Sequence, residues 1–236
     1  MKTYGQTKFK DIIDNTPEFA YNLEFTIGNG GNFTNIQDAL NYCKRYINYP
    51  NYAITLKLLN SLTIDYTINI AKTDFRNLIL DGNGFTISKN CNSQYDTVFY
   101  GDMSIYPVIK NLTVENTNNR SFGIAFTNYH GSIFASHVTV ANSLTIKNFY
   151  NGIRHACSYL FTPGLTLDNC EYGLYAFRKS NTCLDSYVNI KNCGTGIAVY
   201  NGSEVVAQGV TFAGNATDCN ISYNTPTTNG TIWKQL

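Results

Sequence analysis

Hydrophobic and polar positions alternate with a period of two along most of the chain, in runs of only a few residues. Between Asn142 and Cys219 one such run is written four times: Leu144-Thr-Ile-Lys-Asn148, Leu165-Thr-Leu-Asp-Asn169, Val188-Asn-Ile-Lys-Asn192 and Val210-Thr-Phe-Ala-Gly214. The residues that close the copies lie 21, 23 and 22 positions apart. Four residues after each Asn come Gly152, Gly173 and Gly196, followed by Ile153, Leu174 and Ile197. The alternation predicts strands with two residues facing in and one out. Asn after each strand suits a turn, because it tolerates the left-handed conformation. A fixed period near 22 is the mark of a solenoid, and about three strands of about five residues fit in one repeat. The predicted fold class is all-β, a single-stranded parallel β-helix with about 22 residues per coil.

The flanking chain fills in the organisation. Residues 1–24 show no clear period and read as an N-terminal connector. Phe25-Thr-Ile27 predicts a short strand and Gly28-Asn-Gly-Gly31 a turn. From Thr34 the period becomes helical, with Ile36, Ala39, Leu40, Cys43 and Ile47 on one face, Thr34 as N-cap with Gln37 three residues on, and Pro50 just past the end. An open solenoid end exposes strand edges and apolar core, so residues 25–50 are expected to form a strand and a capping α-helix. The β-helix then takes residues 51–236, with room for roughly eight coils. Leu112 and Leu144 occupy equivalent positions 32 apart, and loop excursions are expected near 88–107 and 117–141. Trp233, the only Trp, is expected to close the C-terminal end of the core or a subunit contact.

The strand-Asn-turn-Gly-Ile coils, the Asp81-Gly-Asn-Gly84 turn after Leu78-Ile-Leu80, and the front capping segment together resemble the right-handed parallel β-helices of the pectate-lyase-like superfamily. Within it, Gly196-Ile-Ala-Val-Tyr-Asn-Gly-Ser203 and Val205-Val-Ala-Gln-Gly-Val-Thr-Phe-Ala-Gly-Asn215 resemble the β-helix modules of bacteriophage tail fibres and tailspikes. The resemblance implies right-handed winding, a homotrimer, a place in the virion tail after synthesis in the bacterial cytoplasm, and a bacterial surface glycan as partner. Residues 30–40 also resemble the opening of pectin methylesterase β-helices. The chain contains neither the Gln-Asp-Thr-Leu nor the Asp-Phe-Ile-Phe-Gly motif of those enzymes, so the esterase reading fails at its catalytic residues.

Composition narrows the partners. Charged residues make up 14% of the chain, the net charge is +1, and Lys and Arg are scattered, which argues against nucleic acid or an anionic membrane surface. No apolar run approaches 18 residues, so no membrane insertion is expected. Seven Cys is an odd number without a Cys-x-x-Cys pair, and Met1-Lys-Thr-Tyr does not open a signal peptide, so reduced thiols are expected. No cofactor or metal is implied: Asp81-Gly-Asn-Gly84 offers two oxygen ligands where calcium takes about six to eight.

Two columns of side chains carry candidate chemistry. The residues before the turns, Asp81, Glu115, Lys147, Asp168 and Lys191, stack as one exposed column and read chiefly as an ion-pair ladder. Asp81 beside Glu115 is the exception, a carboxylate pair of the kind glycoside hydrolysis uses at about 5 Å or about 6.5–9.5 Å. The second column follows the glycines. Alternation turns Arg154, Tyr175 and Ala198 outward, then Ala156, Phe177 and Tyr200, with Arg178 and Lys179 next. Exposed rings beside Arg suit sugar stacking, acidic groups or a subunit contact, while cross-strand stacking alone is the plainer reading. Thr113, Thr145, Thr166, Asn189 and Thr211 form an outward row explained by β-propensity. Cys170 and Cys193 fall in register as buried thiols, and His155 faces inward. A receptor-binding module leads, with Arg154, Tyr175, Phe177, Arg178 and Tyr200 as its surface. A polysaccharide hydrolase or lyase using Asp81 and Glu115 is the alternative, and a rod without ligand the third.

Overall fold

A computed structural model describes residues 21–46, 52–130, 132–134, 144–185, 187–221 and 231–235. The chain is a nearly all-β parallel solenoid of about 6 turns, about 24 residues per turn, with one short helix among the described residues. One coil shows the plan. Leu165–Asp168 forms the first side, Tyr172–Phe177 the second and Asn181–Leu184 the third, before Val188–Lys191 returns to stack on the first. The first and second sides are each continuous seven-stranded parallel sheets. The third side is two separate ladders: four strands from Tyr21–Ile27 to Val108–Lys110, then five from Ser132–Phe134 to Thr231–Gln235.

The repeated triplets do what their alternation predicts. Leu112 and Val114, Leu144 and Ile146, Leu165 and Leu167, and Val188 and Ile190 all point into the core and are closed from solvent. Each such side chain contributes about 1.5–3 kcal/mol by burial. The Thr row faces outward in register, from Thr86 through Thr113, Thr145, Thr166 and Asn189 to Thr211. On the second side Phe99, Phe126, Ile153, Leu174 and Ile197 form a continuous inner column, and the Phe99 and Phe126 rings stack at 4.6 Å.

The corners explain the Asn spacing. Asn148, Asn169 and Asn192 have φ of 67°, 52° and 57°, and Gly214 takes the same role at 67°. The Asn169 amide also donates to Asn148 Oδ1 at 2.9 Å, tying one corner to the next. The glycines serve a different need, inside the second-side strands. A Cβ on Gly152, Gly173 or Gly196 would meet the carbonyl oxygen of Gly173, Gly196 or Asp218 at 2.7, 2.7 or 2.6 Å.

The helix spans Ile36–Cys43 and buries Ile36, Ala39, Leu40 and Cys43, four of the five residues on the expected face; Ile47 lies outside the described residues. Its N-cap is Asn35 rather than Thr34: Asn35 Oδ1 accepts from the Asp38 amide at 2.8 Å, and Asn35 Nδ2 donates to Asp38 Oδ2. Gln37 is thereby free for the work of a cap. It accepts from the Asn69 amide at 2.7 Å and donates to the Asn69 carbonyl at 3.2 Å, satisfying the open edge of Ile68–Asn69, the end strand of the second side.

Several expected boundaries shift. The first strand starts at Tyr21, so residues 21–24 belong to the fold and not to a connector; residues 1–20 lie outside the described part. Only part of residues 88–107 is a loop excursion: Thr97–Asp102 is a full second-side strand, while the corner before it is longer than in later coils, with Phe99 standing 12 residues after Ile87 where the equivalent Ile153 stands 7 after Ile146. Ile124–Tyr129 is likewise a strand within 117–141, and the surplus of the 32-residue coil from Leu112 to Leu144 is divided: Ile124 stands 12 residues after Leu112 where its register partner Asn151 stands 7 after Leu144, and the rest of the surplus falls between Phe134 and Leu144, outside the described part. Coils in the first half are also longer, 25 residues from Leu62 to Ile87 against 21 from Leu144 to Leu165. The count therefore drops from eight coils to about 6. Trp233 pairs with Val206 through its backbone, and its side chain is outside the described part.

Two substitutions test this account. Gly173→Ala drives a methyl into the Gly196 backbone and is expected to cost about 3 kcal/mol. Asn169→Ala loses both left-handed tolerance and the amide bond, together about 2 kcal/mol. Urea unfolding midpoints read both, and parental midpoints in either variant contradict the role assigned to that position.

Candidate functional site

The second side carries the surface that differs from an ordinary solenoid wall. Its outward positions run Tyr100, Thr127, Arg154, Tyr175 and Ala198 in one register row, and Asp102, Tyr129, Ala156 and Phe177 in the next. Tyr150 and Tyr172 enter at the preceding corner, where the Tyr172 amide donates to the Tyr150 carbonyl at 2.8 Å. These rings meet diagonally between coils, one or two residues out of register, or along one strand. Tyr150 and Tyr172 pack edge to face at 5.5 Å, Tyr172 and Tyr175 at 5.6 Å, and Tyr175 stacks on Tyr200 at 5.0 Å with 28° between planes.

Together they wall a groove of about 340 Å³, with Arg154, Asn151 and Asn201 beside them and Gln94 and Tyr95 reaching in from another coil. Tyr95 sits on the corner before Thr97–Asp102, two coils toward the N-terminus. That corner is stapled: Asp96 Oδ2 accepts from the Asn92 and Ser93 amides at 2.7 and 3.1 Å, and Ser93 Oγ accepts from the Tyr95 amide. Tyr95 is 75% exposed, a large ring held out in water. Asn151 is 5% exposed, and its Oδ1 has no hydrogen-bond donor. An unsatisfied buried acceptor costs about 1–3 kcal/mol, so a residue that lines the groove keeps, closed from solvent, a polar atom in want of a partner. Burial raises the Tyr150, Tyr175 and Tyr200 phenols above their ordinary value; at Tyr175 the Arg154 charge works against that shift without reversing it. All three are neutral hydroxyls at pH 7, able to donate and accept.

Of the five residues expected on this surface, Arg154, Tyr175 and Tyr200 line the groove, and Phe177 and Arg178 stand beside it. Phe177 is not the exposed ring that alternation suggested, being only 7% accessible. Its register neighbour is Ala156, whose short side chain leaves room for Tyr129 to meet Phe177 edge to face at 6.3 Å. The Arg154 and Arg178 guanidinium carbons lie 5.0 and 5.5 Å from the Phe177 ring centre, covering it further. Tyr150, Asn151 and Tyr172 sit at or just before the position preceding each glycine, a column that the glycine spacing marks but that was not among the residues expected on this surface. Gln94 and Tyr95 fall within the excursion expected near 88–107, but only the stacking of coils shows that they reach this groove.

The carboxylate pair does not form. Asp81 lies on the third side, paired in register with Lys57 and Lys110, whereas Glu115 lies on the first side between Ser88 and Lys147. The strand equivalent to Leu112–Asn116 one coil earlier is Thr86–Lys89, and not Leu78–Asp81. Asp81 accepts from the Asn83 amide and Asn111 Nδ2 and pairs with Lys110 at 3.3 Å. Burial opposes ionisation there, but those hydrogen bonds and the Lys110 charge hold the carboxyl below its ordinary value, which unfits it as a general acid. Those bonds make Asp81-Gly-Asn-Gly84 a plain turn. The remaining column is the expected ladder, with Lys147–Glu115 at 3.2 Å and Lys191–Asp168 at 3.3 Å.

Cys170 and Cys193 are buried free thiols, and Cys170 is raised well above the ordinary thiol value by its hydrogen bond to Cys193 and by burial. His155 is fully buried, with Ser158 Oγ at 2.9 Å from Nδ1 and Thr182 Oγ1 at 2.8 Å from Nε2. It is a satisfied core residue. His130 sits at the surface 3.2 Å from Asp102, and His137 lies outside the described residues.

The groove thus has ring faces, hydroxyls, amides and one guanidinium, a set suited to holding a polyhydroxylated ligand rather than to moving its protons. No protein-family model, curated protein or solved structure matches the chain.

Burial pushes His155 down to about 3, while in the unfolded chain it titrates near its ordinary 6.5. The unfolded state therefore binds the proton first as pH falls. Stability from this group is complete above 6.5 and declines toward 3, with a slope approaching about 1.4 kcal/mol per pH unit. Asp74 and Asp81, both held below 3.8, stabilise fully above that value and lose their contribution only as pH falls beneath it. Denaturant titrations between pH 6.5 and 4 should show the decline in the parent and lose it in His155→Gln; a flat parental profile contradicts this.

Proposed function

We propose that the chain is a glycan-recognition module, the receptor-binding part of a phage or phage-derived tail fibre or tailspike that engages a bacterial surface polysaccharide. The observation that carries the reading is the groove in which Tyr150, Tyr172, Tyr175 and Tyr200 converge with Arg154, Asn151 and Asn201. Ring faces match the apolar faces of sugar rings, and phenols and amides match hydroxyls. A solenoid that served only as a rod has no use for Tyr95 held 75% exposed. The tail-fibre part of the reading is supported by the texture of residues 196–215. It brings with it a homotrimer and a place in the virion.

The test is a panel of immobilised capsular and lipopolysaccharide glycans, reading protein retention and glycan chain length together. Retention without shortening is expected for at least one glycan, and Tyr175→Ala or Tyr200→Ala should weaken it about tenfold, equivalent to about 1.4 kcal/mol. Shortened chains would make the protein a depolymerase. Absence of retention across the panel leaves only the rod. Light scattering checks the assembly: three copies of the 26.4 kDa chain are expected, and a monomer removes the trimer.

A further inference from the structure

We infer that the groove takes an anionic saccharide, one whose ring carries a carboxylate or sulfate group, and that Arg154 is the residue that reads the charge. The inference rests on the glycan reading above and narrows it to a substrate class. Among the described residues, Arg154 is the only charged one lining the groove. Its guanidinium lies 5.0 Å from the centre of the Phe177 ring, a placement that fixes its plane while leaving its donors unused. No carboxylate among the described residues pairs with it: nearby Glu171 pairs with Arg120 at 3.4 Å, Asp102 with His130 at 3.2 Å, and Asp96 is held by backbone amides.

A partly buried guanidinium without an anion is poorly compensated, and a ligand that brings one is favoured over an otherwise identical neutral ligand. The second observation is Asn151. This residue lines the groove, is 5% exposed, and keeps an Oδ1 without a donor. The last torsion of an amide side chain is broad, so a small turn presents that oxygen to a hydroxyl entering beside Arg154. An anion for the fork and a hydroxyl for the amide, three residues apart on one strand, are what a single acidic sugar ring supplies. Both groups sit against Tyr172 and Tyr175, whose rings supply the stacking surface.

The test uses the full chain and a capsular polysaccharide rich in hexuronic acid, with the same polymer after carboxyl reduction to its neutral hexose as control. Dextran sulfate against dextran separates sulfate from carboxylate as the source of charge. Interferometry should show the uronate polymer bound about 30-fold more tightly than its reduced form, with the preference shrinking as salt rises. Arg154→Gln should bring uronate binding down to the level of the reduced polymer. Arg154→Lys should keep a preference of reduced size, since it restores charge without the fork. Thermal midpoints accompany each variant, and a large fall in Arg154→Gln hands the decision to the salt series and to Arg154→Lys. Equal binding of acidic and reduced polymers, or an undiminished preference in a folded Arg154→Gln, overturns the inference while leaving the glycan reading intact. Retention of neutral glycans only does the same. If nothing binds, acidic or neutral, both fall.

Discussion

Coil stacks on coil at the spacing of a parallel β-ladder, about 4.8 Å, along the whole of the first and second sides and within each of the two ladders of the third. That one constraint dictates which residue types are admissible at each position. Where a Cβ would point at the carbonyl of the next coil, only glycine fits, and Gly152, Gly173 and Gly196 occupy one such column. Where the chain must turn within a single residue, the left-handed conformation is required, and Asn148, Asn169 and Asn192 supply it at low cost. Side chains elsewhere meet their own equivalents one coil away, so chemistry on this fold comes in columns of like or complementary groups.

The opposite corner, after the second-side strands, turns in the same way but with different residues. Met103, His130, Cys157, Arg178 and Asn201 have φ between 47° and 55°, and four of the five are neither Asn nor Gly. Each non-glycine residue in that conformation costs about 1–2 kcal/mol, so this edge gives up stability that the asparagine edge keeps. Arg178 shows one return, since its side chain leaves the corner to lie over Phe177. The strained edge borders the groove, and Asn201, the member that lines it, is also the one best suited to the conformation.

How much of this was legible in the sequence follows from the same stacking rule. Strand, corner and core positions between Leu144 and Ala213 could be read because adjacent coils there differ in length by one or two residues, so the period shows through. Tyr175, Arg154 and Tyr200 were found for that reason. In the first half the coils run longer, and Leu78-Ile-Leu80-Asp81 imitates a first-side strand while belonging to the third side. One such imitation moved Asp81 next to Glu115 on paper and produced a carboxylate pair that does not exist. The Thr34 cap failed more locally: Thr and Asn stand side by side, both can cap, and Asn35 wins because Asp38 answers it. Gln94 and Tyr95 were beyond reach, since a corner residue becomes part of a site two coils away only after the stacking is known.

Stacking also bears on the chemistry that this face carries. In a ladder, an acidic group finds a basic one at the same position a coil away: Glu115 has Lys147, Asp168 has Lys191, and Asp81 has Lys110. Such pairing neutralises charge along the column and ties up the protonation states that acid and base catalysis need. A charge stays available only where the column is broken by neutral neighbours. Arg154 is in that position, between Thr127 on one coil and Tyr175 on the other, with a ring and not a carboxylate beneath it. The interruption that leaves its fork unspent is the same one that places tyrosines around it, so the tyrosine-lined groove and its charge arise from one departure from the ladder.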